Sequence, residues 1–249
     1  MSSRNLFDGT SDFYSKYRPD YPALIIQKLE GRTGFNHEWK VADIGSGTGK
    51  LSRLFLKSGN EVIGVEPNSE MRSKSHKELA GFPKFSTVNG SAESTGIESS
   101  SIDLVVCGQS FHWFNVQDAR REFRRILRGE KHVSLIWNDR VMKNGSFTLG
   151  YEQIVKKYSE KYHSRGSSVL SKTTLAEFFQ NFSVDQIPNN QPLTLEGVLG
   201  RYLSASYAVR PGGENYYSIV SEFEDLFARH QKGGKVQMEY VTQMYTGTI

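Results

Sequence analysis

The chain has 249 residues, of which 37% are hydrophobic and 23% charged, so it can bury the core of one large domain, and wholesale disorder is excluded. The net charge is only +4, and the densest arginine cluster, between positions 120 and 128, has the spacing of a solvated helix face, which argues against a nucleic-acid partner. The single cysteine, Cys107, and the lack of a long apolar run predict a cytoplasmic protein without a membrane partner.

Aromatic residues dominate the first 21 positions. Phe13 and Tyr17 are four residues apart, which predicts a short helix that ends before Pro19. Residues 22–29 open on a proline and carry inward-facing leucine and isoleucine, which predicts a second helix.

The run WKVADIGSGTGKLS, residues 39–52, is the most informative stretch. Its apolar segment 41–44 predicts a buried parallel strand, and the apolar residues after position 50 predict a helix. The turn between the strand and the helix consists of Gly45, Ser46, Gly47, Thr48 and Gly49. A glycine-rich turn lets the backbone pass close under a ligand, and the start of the helix offers unpaired N–H groups to an anion.

The spacing of the glycines separates the possible ligands. A phosphate-binding loop needs glycine where Ile44 stands and Ser or Thr where Leu51 stands. A dinucleotide fingerprint needs a third glycine at the position of Lys50. The remaining pattern is Asp43 followed by three alternate glycines.

Residues 61–65 predict a second buried strand, which ends at Glu66. Glu66 lies roughly 20 residues beyond the glycine turn, where an acidic side chain accepts hydrogen bonds from ribose hydroxyls. The alternative is a surface acid at a strand end. Pro67 precedes a helix with Asn68 or Ser69 as its N-cap.

Further strands are predicted at 84–89, 101–107 and 131–137, with a helix at 116–127. The segment from Gly108 to Phe114 follows the fourth strand, and in open α/β sheets this edge faces the ligand. After position 138 the alternation stops. The predicted elements are helices at 147–162, 172–182, 194–202 and 214–231, a strand at 184–187, and a last strand at 236–245 with the alternation of an antiparallel edge strand.

The motif Asp43-x-Gly45-x-Gly47-x-Gly49 resembles that of the class I S-adenosylmethionine-dependent methyltransferases. The resemblance implies an α/β fold with a doubly wound, mostly parallel seven-stranded sheet and a helical insertion after the fifth strand. It implies that the turn holds the amino acid end of S-adenosylmethionine, with Asp43 at the ammonium directly or through water. The expected divisions are an N-terminal lid and helix at 1–34, a cofactor-binding core at 35–140, a helical cap with the sixth strand at 141–235, and a C-terminal strand at 236–249.

The resemblance also implies contacts to adenine from the loop after the third strand. Ala92 and Glu93 match that pattern. The alternative for Glu93 is an ordinary acidic residue of the loop. Met71 packs on adenine or fills the core. The candidate cofactor-binding residues are Asp43, Gly45, Ser46, Gly47, Thr48, Gly49, Glu66, Pro67, Met71, Ser91, Ala92, Glu93 and Gln109.

The run QSFHWF, residues 109–114, resembles a subgroup of small-molecule methyltransferases that includes trans-aconitate methyltransferase. His112 is the candidate catalytic residue, as a base or a hydrogen-bond donor, and packing under the next helix is the alternative. Residues 7–18 are either a lid over the pocket or an N-terminal helix that caps the sheet. The candidate substrate-binding residues are Tyr14, Tyr17, Arg18, His112, Trp113, Tyr207 and Arg210.

Methyl transfer from a sulfonium needs neither a metal nor a nucleophilic triad, and no His-x-x-x-His pair or G-x-S-x-G elbow occurs in the sequence. A carboxylate acceptor would need no base, whereas a hydroxyl, amine or carbon acceptor would make His112 a candidate base. The resemblance implies methyl transfer to a small molecule, by a monomer or homodimer. The alternatives are a nucleotide-linked oxidoreductase on the same plan and a catalytically silent cofactor-binding module.

Overall fold

The fold is built on one mixed sheet. The computed structural model describes residues 15–159, 162 and 170–249, and in these ranges seven strands pair in the order β3-β2-β1-β4-β5-β7-β6. The strands are β1 (Lys40–Ile44), β2 (Glu61–Val65), β3 (Phe85–Val88), β4 (Ile102–Gly108), β5 (Leu127–Arg140), β6 (Asn181–Leu193) and β7 (Val236–Thr248). The helices are α1 (Leu24–Thr33), α2 (Lys50–Lys57), α3 (Ser69–Glu78), α4 (Val116–Ile126), α5 (Phe147–Tyr158), α6 (Lys172–Phe178), α7 (Leu195–Leu203) and α8 (Tyr216–His230).

Strands β1 to β5 are parallel, with β1 between β2 and β4. The strand order changes direction at β1, because β2 lies on one side of it and β4 on the other. A crevice opens at such a point above the carboxyl ends of the strands. β7 is antiparallel to both β5 and β6, which completes the sheet.

Helices cover both faces of the parallel part of the sheet. Because alternate residues of a strand face opposite sides, Val41 of β1 packs in one apolar layer and its neighbour Ala42 packs in the other. The first layer contains the buried faces of α1 and α2, and the second contains those of α4 and α6. The core is thus split by the sheet into two layers.

A third apolar cluster lies beyond the parallel strands. It joins α5, α7 and α8 to the first residues of β7, with Tyr151, Val198, Phe223 and Met238 fully buried. We call these three helices the cap. Across the described part of the chain, no helix combines the length and the apolar character that crossing a membrane requires.

The last two strands differ from the sequence prediction. β7 is not an edge strand, because β6 pairs with it along its whole length, from Asn181 opposite Thr248 to Leu193 opposite Val236. β6 is therefore the edge and runs 13 residues, far beyond the predicted 184–187. The alternating pattern of β7 reflects the two sides of an internal strand equally well, so periodicity alone did not identify its neighbours.

The joint between α4 and β5 also differs. The chain passes from Ile126 directly into β5, without a separate loop at 128–130. Gly129 and Lys131 take φ values of 58° and 61° there, and the pairing with β4 shifts register. Arg128 holds the joint through two bonds to the Asp103 carboxylate, at 2.5 and 2.6 Å.

Candidate functional site

The glycine turn between β1 and α2 is left-handed at each of its glycines, with φ of 70° at Gly45, 55° at Gly47 and 81° at Gly49. A Cβ on Gly45 would lie 2.6 Å from Cβ of Ser110, and one on Gly49 would lie 2.5 Å from Cδ1 of Leu79. The turn therefore needs glycine for its backbone conformation throughout, and also for space at Gly45 and Gly49.

Glu66 follows the end of β2 and reaches across to this turn. Its Oε2 accepts a hydrogen bond from the Gly47 N–H at 2.9 Å, and its Oε1 accepts one from the Asn68 N–H at 2.9 Å. Burial raises the pKa of the carboxyl, and these N–H donors and Arg72 oppose the rise. Each carboxylate oxygen keeps a further lone pair for a ligand hydroxyl.

Asp43 lies under the turn, on β1, with 1% of its surface exposed. Its Oδ2 accepts a hydrogen bond from Ser52 Oγ at 2.6 Å, and its Oδ1 has no hydrogen-bond partner among the described residues. Burial raises the pKa of this carboxyl to about 7, although the bonds from Ser52 act in the opposite direction. The unpartnered oxygen gives the site a buried acceptor for a cationic or hydrogen-bond-donating group.

A cavity opens above the carboxyl ends of β1, β2 and β4. It brings together most of the predicted cofactor residues: Gly45, Gly47, Glu66, Pro67, Met71, Ser91, Ala92, Glu93 and Gln109. Trp113, predicted to contact substrate, also lines it. The other lining residues were not among the candidates, although Gly108, Ser110 and Phe114 belong to the segment predicted to face the ligand; they are Asn68, Gly90, Gly108, Ser110 and Phe114. Each is a sequence neighbour of a predicted residue, so widening the strand-end windows by one or two positions would have included them.

Four predicted cofactor residues do not line this cavity, because they support the turn from below or behind. Asp43 and Thr48 are buried, with 1% and 2% of their surface exposed. The Ser46 hydroxyl lies beside Gly64 of β2, where a Cβ would approach it to 2.8 Å. Gly49 packs against Leu79, as described above.

The loop after β4 forms the opposite wall. Gln109 has a positive φ of 59°, an uncommon conformation for a residue with a Cβ, and its N–H donates to the Ile136 carbonyl at 2.9 Å. Its side chain donates to the Asn138 carbonyl at 3.2 Å, which joins the loop to β5. Ser110 Oγ donates to the Ile44 carbonyl at 2.7 Å, which joins the loop to β1.

A short 3₁₀ turn, Phe111–Trp113, follows this loop. Trp113 lines the cavity and is 39% exposed, whereas His112 is not among the lining residues, and its ring lies 4.7 Å from the ring of Trp113. Glu93 lines the cavity while its Oε1 accepts a hydrogen bond from the Asn115 N–H at 2.9 Å, just before α4. Glu93 therefore has a structural partner as well as a place at the cavity wall.

The remaining predicted substrate residues lie on the cap side. Tyr14 is outside the described residues, as is most of the predicted lid at 7–18. The Tyr17 hydroxyl donates to Glu196 of α7 at 2.6 Å. Three others lie against or beyond the end of α7 and outside the lining of the cavity above: Arg18, Tyr207 and Arg210.

The raised pKa of the Asp43 carboxyl predicts that the stability of the fold depends on pH. A carboxyl whose pKa rises from 3.8 in the unfolded chain to about 7 in the fold stabilises the protein while it is protonated. This contribution is full below about pH 4 and is lost as the pH rises through about 7. We expect the free energy of unfolding of the native protein to fall by about 2–3 kcal/mol between pH 5 and pH 8 relative to Asp43→Asn. Urea titrations of both proteins across this pH range measure the difference. If the free energy of unfolding had the same pH dependence in the native protein and in Asp43→Asn, the raised pKa of Asp43 would be wrong.

Comparison with known proteins gives the class of this site. Residues 42–135 match the family model described as a methyltransferase domain. A methyltransferase of Schizosaccharomyces pombe, itself uncharacterised, is 37% identical over 128 residues, which span 51% of this chain and 50% of the relative. An uncharacterised methyltransferase of Mycobacterium tuberculosis is 27% identical over 239 residues, 95% of this chain and 92% of the relative.

Solved structures give the same fold. A protein of Anaeromyxobacter dehalogenans described as a type II methyltransferase superposes with a TM-score of 0.69 at 16% identity, over 93% of this chain and 98% of that one. A phosphoethanolamine N-methyltransferase of Haemonchus contortus, bound to S-adenosylhomocysteine, superposes with a TM-score of 0.58 at 13% identity, over 100% of this chain and 60% of that one.

The family match identifies a methyltransferase domain at residues 42–135 of this chain, and the solved structures show that the chain has a Rossmann-like methyltransferase fold. The resemblance to the trans-aconitate methyltransferase subgroup stays a prediction, as do the domain divisions at residues 34, 140 and 235.

Proposed function

We propose that this protein transfers the methyl group of S-adenosylmethionine to a small-molecule acceptor. The observation that carries the proposal is the link between Glu66 and the Gly47 N–H at 2.9 Å, which joins the ends of two adjacent parallel strands above one cavity. A glycine turn and a carboxylate at these two strand ends match the two polar parts of the cofactor, its amino acid and its ribose.

The residues present fit this cofactor. Gly45 and Gly47 line the cavity, and the first N–H groups of α2, directly after this turn, would suit the carboxylate of the methionine moiety. Asp43 keeps an unpartnered buried oxygen for the ammonium, directly or through water. Glu66 would accept hydrogen bonds from the ribose hydroxyls. The adenine would lie among Met71, Ser91, Ala92 and Glu93, with Pro67 and Gln109 completing the walls and Ser46, Thr48 and Gly49 holding the turn.

The cofactor supplies an electrophilic methyl group together with its own leaving group. The chain contributes alignment of the acceptor and exclusion of water. Within the described lining of the cavity, the titratable side chains are Glu66 and Glu93, and both accept backbone N–H bonds. This lining suits an acceptor that reacts without a base, and we propose a carboxylate. If the acceptor is instead a hydroxyl or an amine, His112 is the candidate base.

The run Gln109–Phe114 supports a small-molecule acceptor, because it forms the wall beside the strand ends and presents Trp113 there. The Haemonchus contortus enzyme of the same fold was solved in complex with the small molecule phosphomonomethylethanolamine, so this fold accommodates such ligands. A monomer or homodimer in the cytoplasm stays the prediction for the chain as a whole.

Calorimetry on the full chain with S-adenosylmethionine, S-adenosylhomocysteine and NAD tests the proposal. We expect S-adenosylmethionine and S-adenosylhomocysteine to bind and NAD to give no heat of binding. Transfer of labelled methyl to a panel of small carboxylates, alcohols and amines then identifies the acceptor class. Binding of NAD alone would indicate an oxidoreductase instead, and cofactor binding without transfer to any member of a broad panel would indicate a silent module.

A further inference from the structure

A cluster of charged and phenolic side chains lies beyond the carboxyl end of β5, between this strand and the cap. We call it the arginine–tyrosine cluster. Its members come from β5, α5, α7, β7 and the loop after α7, and Arg18 approaches it from the N-terminal segment. The cluster comprises Arg18, Arg140, Tyr151, Glu152, Arg201, Tyr207 and Tyr240.

Positive charge exceeds negative charge in this cluster. Arg140 pairs with the only carboxylate among its members, Glu152, at 3.0 Å between Nη1 and Oε2. Arg201 is 3% exposed, and its described partners are neutral: Nε donates to Tyr240 OH at 3.2 Å, and Nη1 donates to Ser204 Oγ at 3.4 Å. Within the described ranges, Arg201 therefore carries a buried charge with no carboxylate against it.

Such an arrangement disfavours folding by itself. A buried charge without a counterion costs free energy, and buried arginines are ordinarily paired. A site that keeps an unbalanced guanidinium in the interior therefore points to an anion that binds there. Conversely, a purely structural arginine would be expected to face an acid, as Arg140 faces Glu152.

The hydroxyl groups of the cluster give an independent observation. Tyr151 is fully buried, and its OH has no hydrogen-bond partner among the described residues, although a buried hydroxyl is normally bonded. The Arg140 guanidinium lies 5.3 Å from the centre of the Tyr151 ring and donates to the Tyr207 OH at 3.4 Å. The cluster thus combines an unused donor with an uncompensated cation.

The electrostatics at Tyr207 agree with this description. Burial alone would raise the pKa of its phenol, but the guanidiniums of Arg140, Arg201 and Arg18 outweigh burial and hold the pKa below its ordinary value. The guanidiniums therefore favour negative charge at the position of the Tyr207 hydroxyl.

The cluster is next to the cofactor cavity through β5. Gln109 lines that cavity and donates to the carbonyl of Asn138, and Arg140 is two residues further along the same strand. Residues two apart in a strand lie on the same face, so Arg140 and Asn138 are on one side of the sheet. The cavity wall and the cluster are therefore joined through neighbouring residues at the carboxyl end of β5.

We infer that Arg201, together with Arg140, Tyr151 and Tyr207, binds an anionic group of the methyl acceptor, a carboxylate or a phosphate. The anion site itself is argued without the proposed methyl transfer. Only the statement that its ligand is the methyl acceptor rests on that proposed function. Guanidinium donors and phenolic hydroxyls together match the several acceptor oxygens of such a group.

Anion binding by the full chain tests this inference without an activity assay. Sodium glutarate and sodium phosphate are titrated into the protein saturated with S-adenosylhomocysteine, at constant ionic strength set with sodium chloride. Calorimetry gives the affinity and thermal unfolding gives the shift of the midpoint. We expect at least one of the two anions to bind and to raise the midpoint above the chloride baseline. Arg201→Gln should weaken this binding about tenfold.

Two further variants separate anion binding from folding. Tyr151→Phe removes a hydroxyl that has no described partner, so it should keep the unfolding midpoint while weakening the anion about threefold. Arg229→Gln, an exposed arginine on α8, should change neither quantity. Affinity for S-adenosylhomocysteine is measured in each variant and should stay within twofold.

Each outcome bears on one proposal. If neither anion binds above the chloride baseline, or if Arg201→Gln binds them as the native protein does, the anion site is wrong. If S-adenosylhomocysteine itself fails to bind the native chain, the proposed methyl transfer is wrong while the anion measurement still stands. If Arg201→Gln fails to fold, Tyr151→Phe decides: unchanged anion affinity there overturns the inference.

Discussion

Replacing Gly45 with alanine is expected to abolish cofactor binding, with S-adenosylhomocysteine affinity falling at least about 100-fold. The φ of 70° at Gly45 disfavours any residue with a Cβ by about 1–2 kcal/mol. The new methyl would also lie 2.6 Å from Cβ of Ser110, so the turn or the loop after β4 must move. Either movement disturbs a wall of the cavity, because Ser110 is itself bonded to the Ile44 carbonyl. Calorimetric titration with S-adenosylhomocysteine measures the loss.

The matched control for this variant is Gly31→Ala. Gly31 lies inside α1, on its exposed side, and a Cβ there would meet nothing within 4 Å. Because alanine favours helix over glycine, we expect the free energy of unfolding to rise by about 0.5–1 kcal/mol, with cofactor affinity unchanged. If Gly45→Ala kept its affinity within threefold of the native protein, the assignment of the turn to the cofactor would be wrong.

The second large effect is expected for Glu66→Gln, with a loss of S-adenosylhomocysteine affinity of about 100-fold, equivalent to about 3 kcal/mol. Glutamine keeps one acceptor oxygen and replaces the other with an NH₂ donor. Gly47 and Asn68 both present N–H groups to the native carboxylate, so one of these contacts becomes donor against donor. The hydrogen bonds proposed to the ribose also lose their charge assistance. Titration with S-adenosylhomocysteine and with adenine alone separates the ribose contribution from the base.

Folding should be much less affected, because burial already disfavours the charged form of Glu66 and raises its pKa. We expect the free energy of unfolding to fall by only about 1 kcal/mol. Glu61→Gln is the matched control, since Glu61 begins the same strand, is 51% exposed and pairs with Lys40 at the surface. Its affinity for S-adenosylhomocysteine should equal that of the native chain. Equal affinities for Glu66→Gln and Glu61→Gln would refute the ribose role of Glu66.

The two variants probe one structural unit from opposite sides. Glu66 is bonded to the backbone of the turn that Gly45 begins, so the ends of β1 and β2 form a single support for the ligand. Gly45 and Ser46 strengthen this link, because their N–H groups donate to the Val65 carbonyl at 2.8 and 3.2 Å. We therefore expect the effects of Gly45→Ala and Glu66→Gln in a double variant to be less than additive.

The sequence by itself determined the parts of this protein that depend on local patterns. Apolar runs followed by glycines or an acid identified β1 and β2 and their ends, because strand burial and the left-handed glycine conformations act within a few residues. Capping was local as well: the sequence predicted Asn68 or Ser69 as the N-cap of α3, and the Asn68 side chain is the one that accepts the Met71 N–H, at 2.9 Å. The parallel architecture followed from the alternation of these elements.

Only the tertiary structure decided the arrangements that join distant segments. Nothing in the alternation of β7 specified that β5 and β6 would pair on its two sides, because a strand's periodicity reports its faces and not its neighbours. The arginine–tyrosine cluster has the same origin, since Arg140 and Arg201 are 61 residues apart in the chain and each looks like an ordinary polar position. Their charges become informative only when folding brings both into a cluster that holds one carboxylate and buries Arg201 there, because burial removes the water that would otherwise compensate the charge.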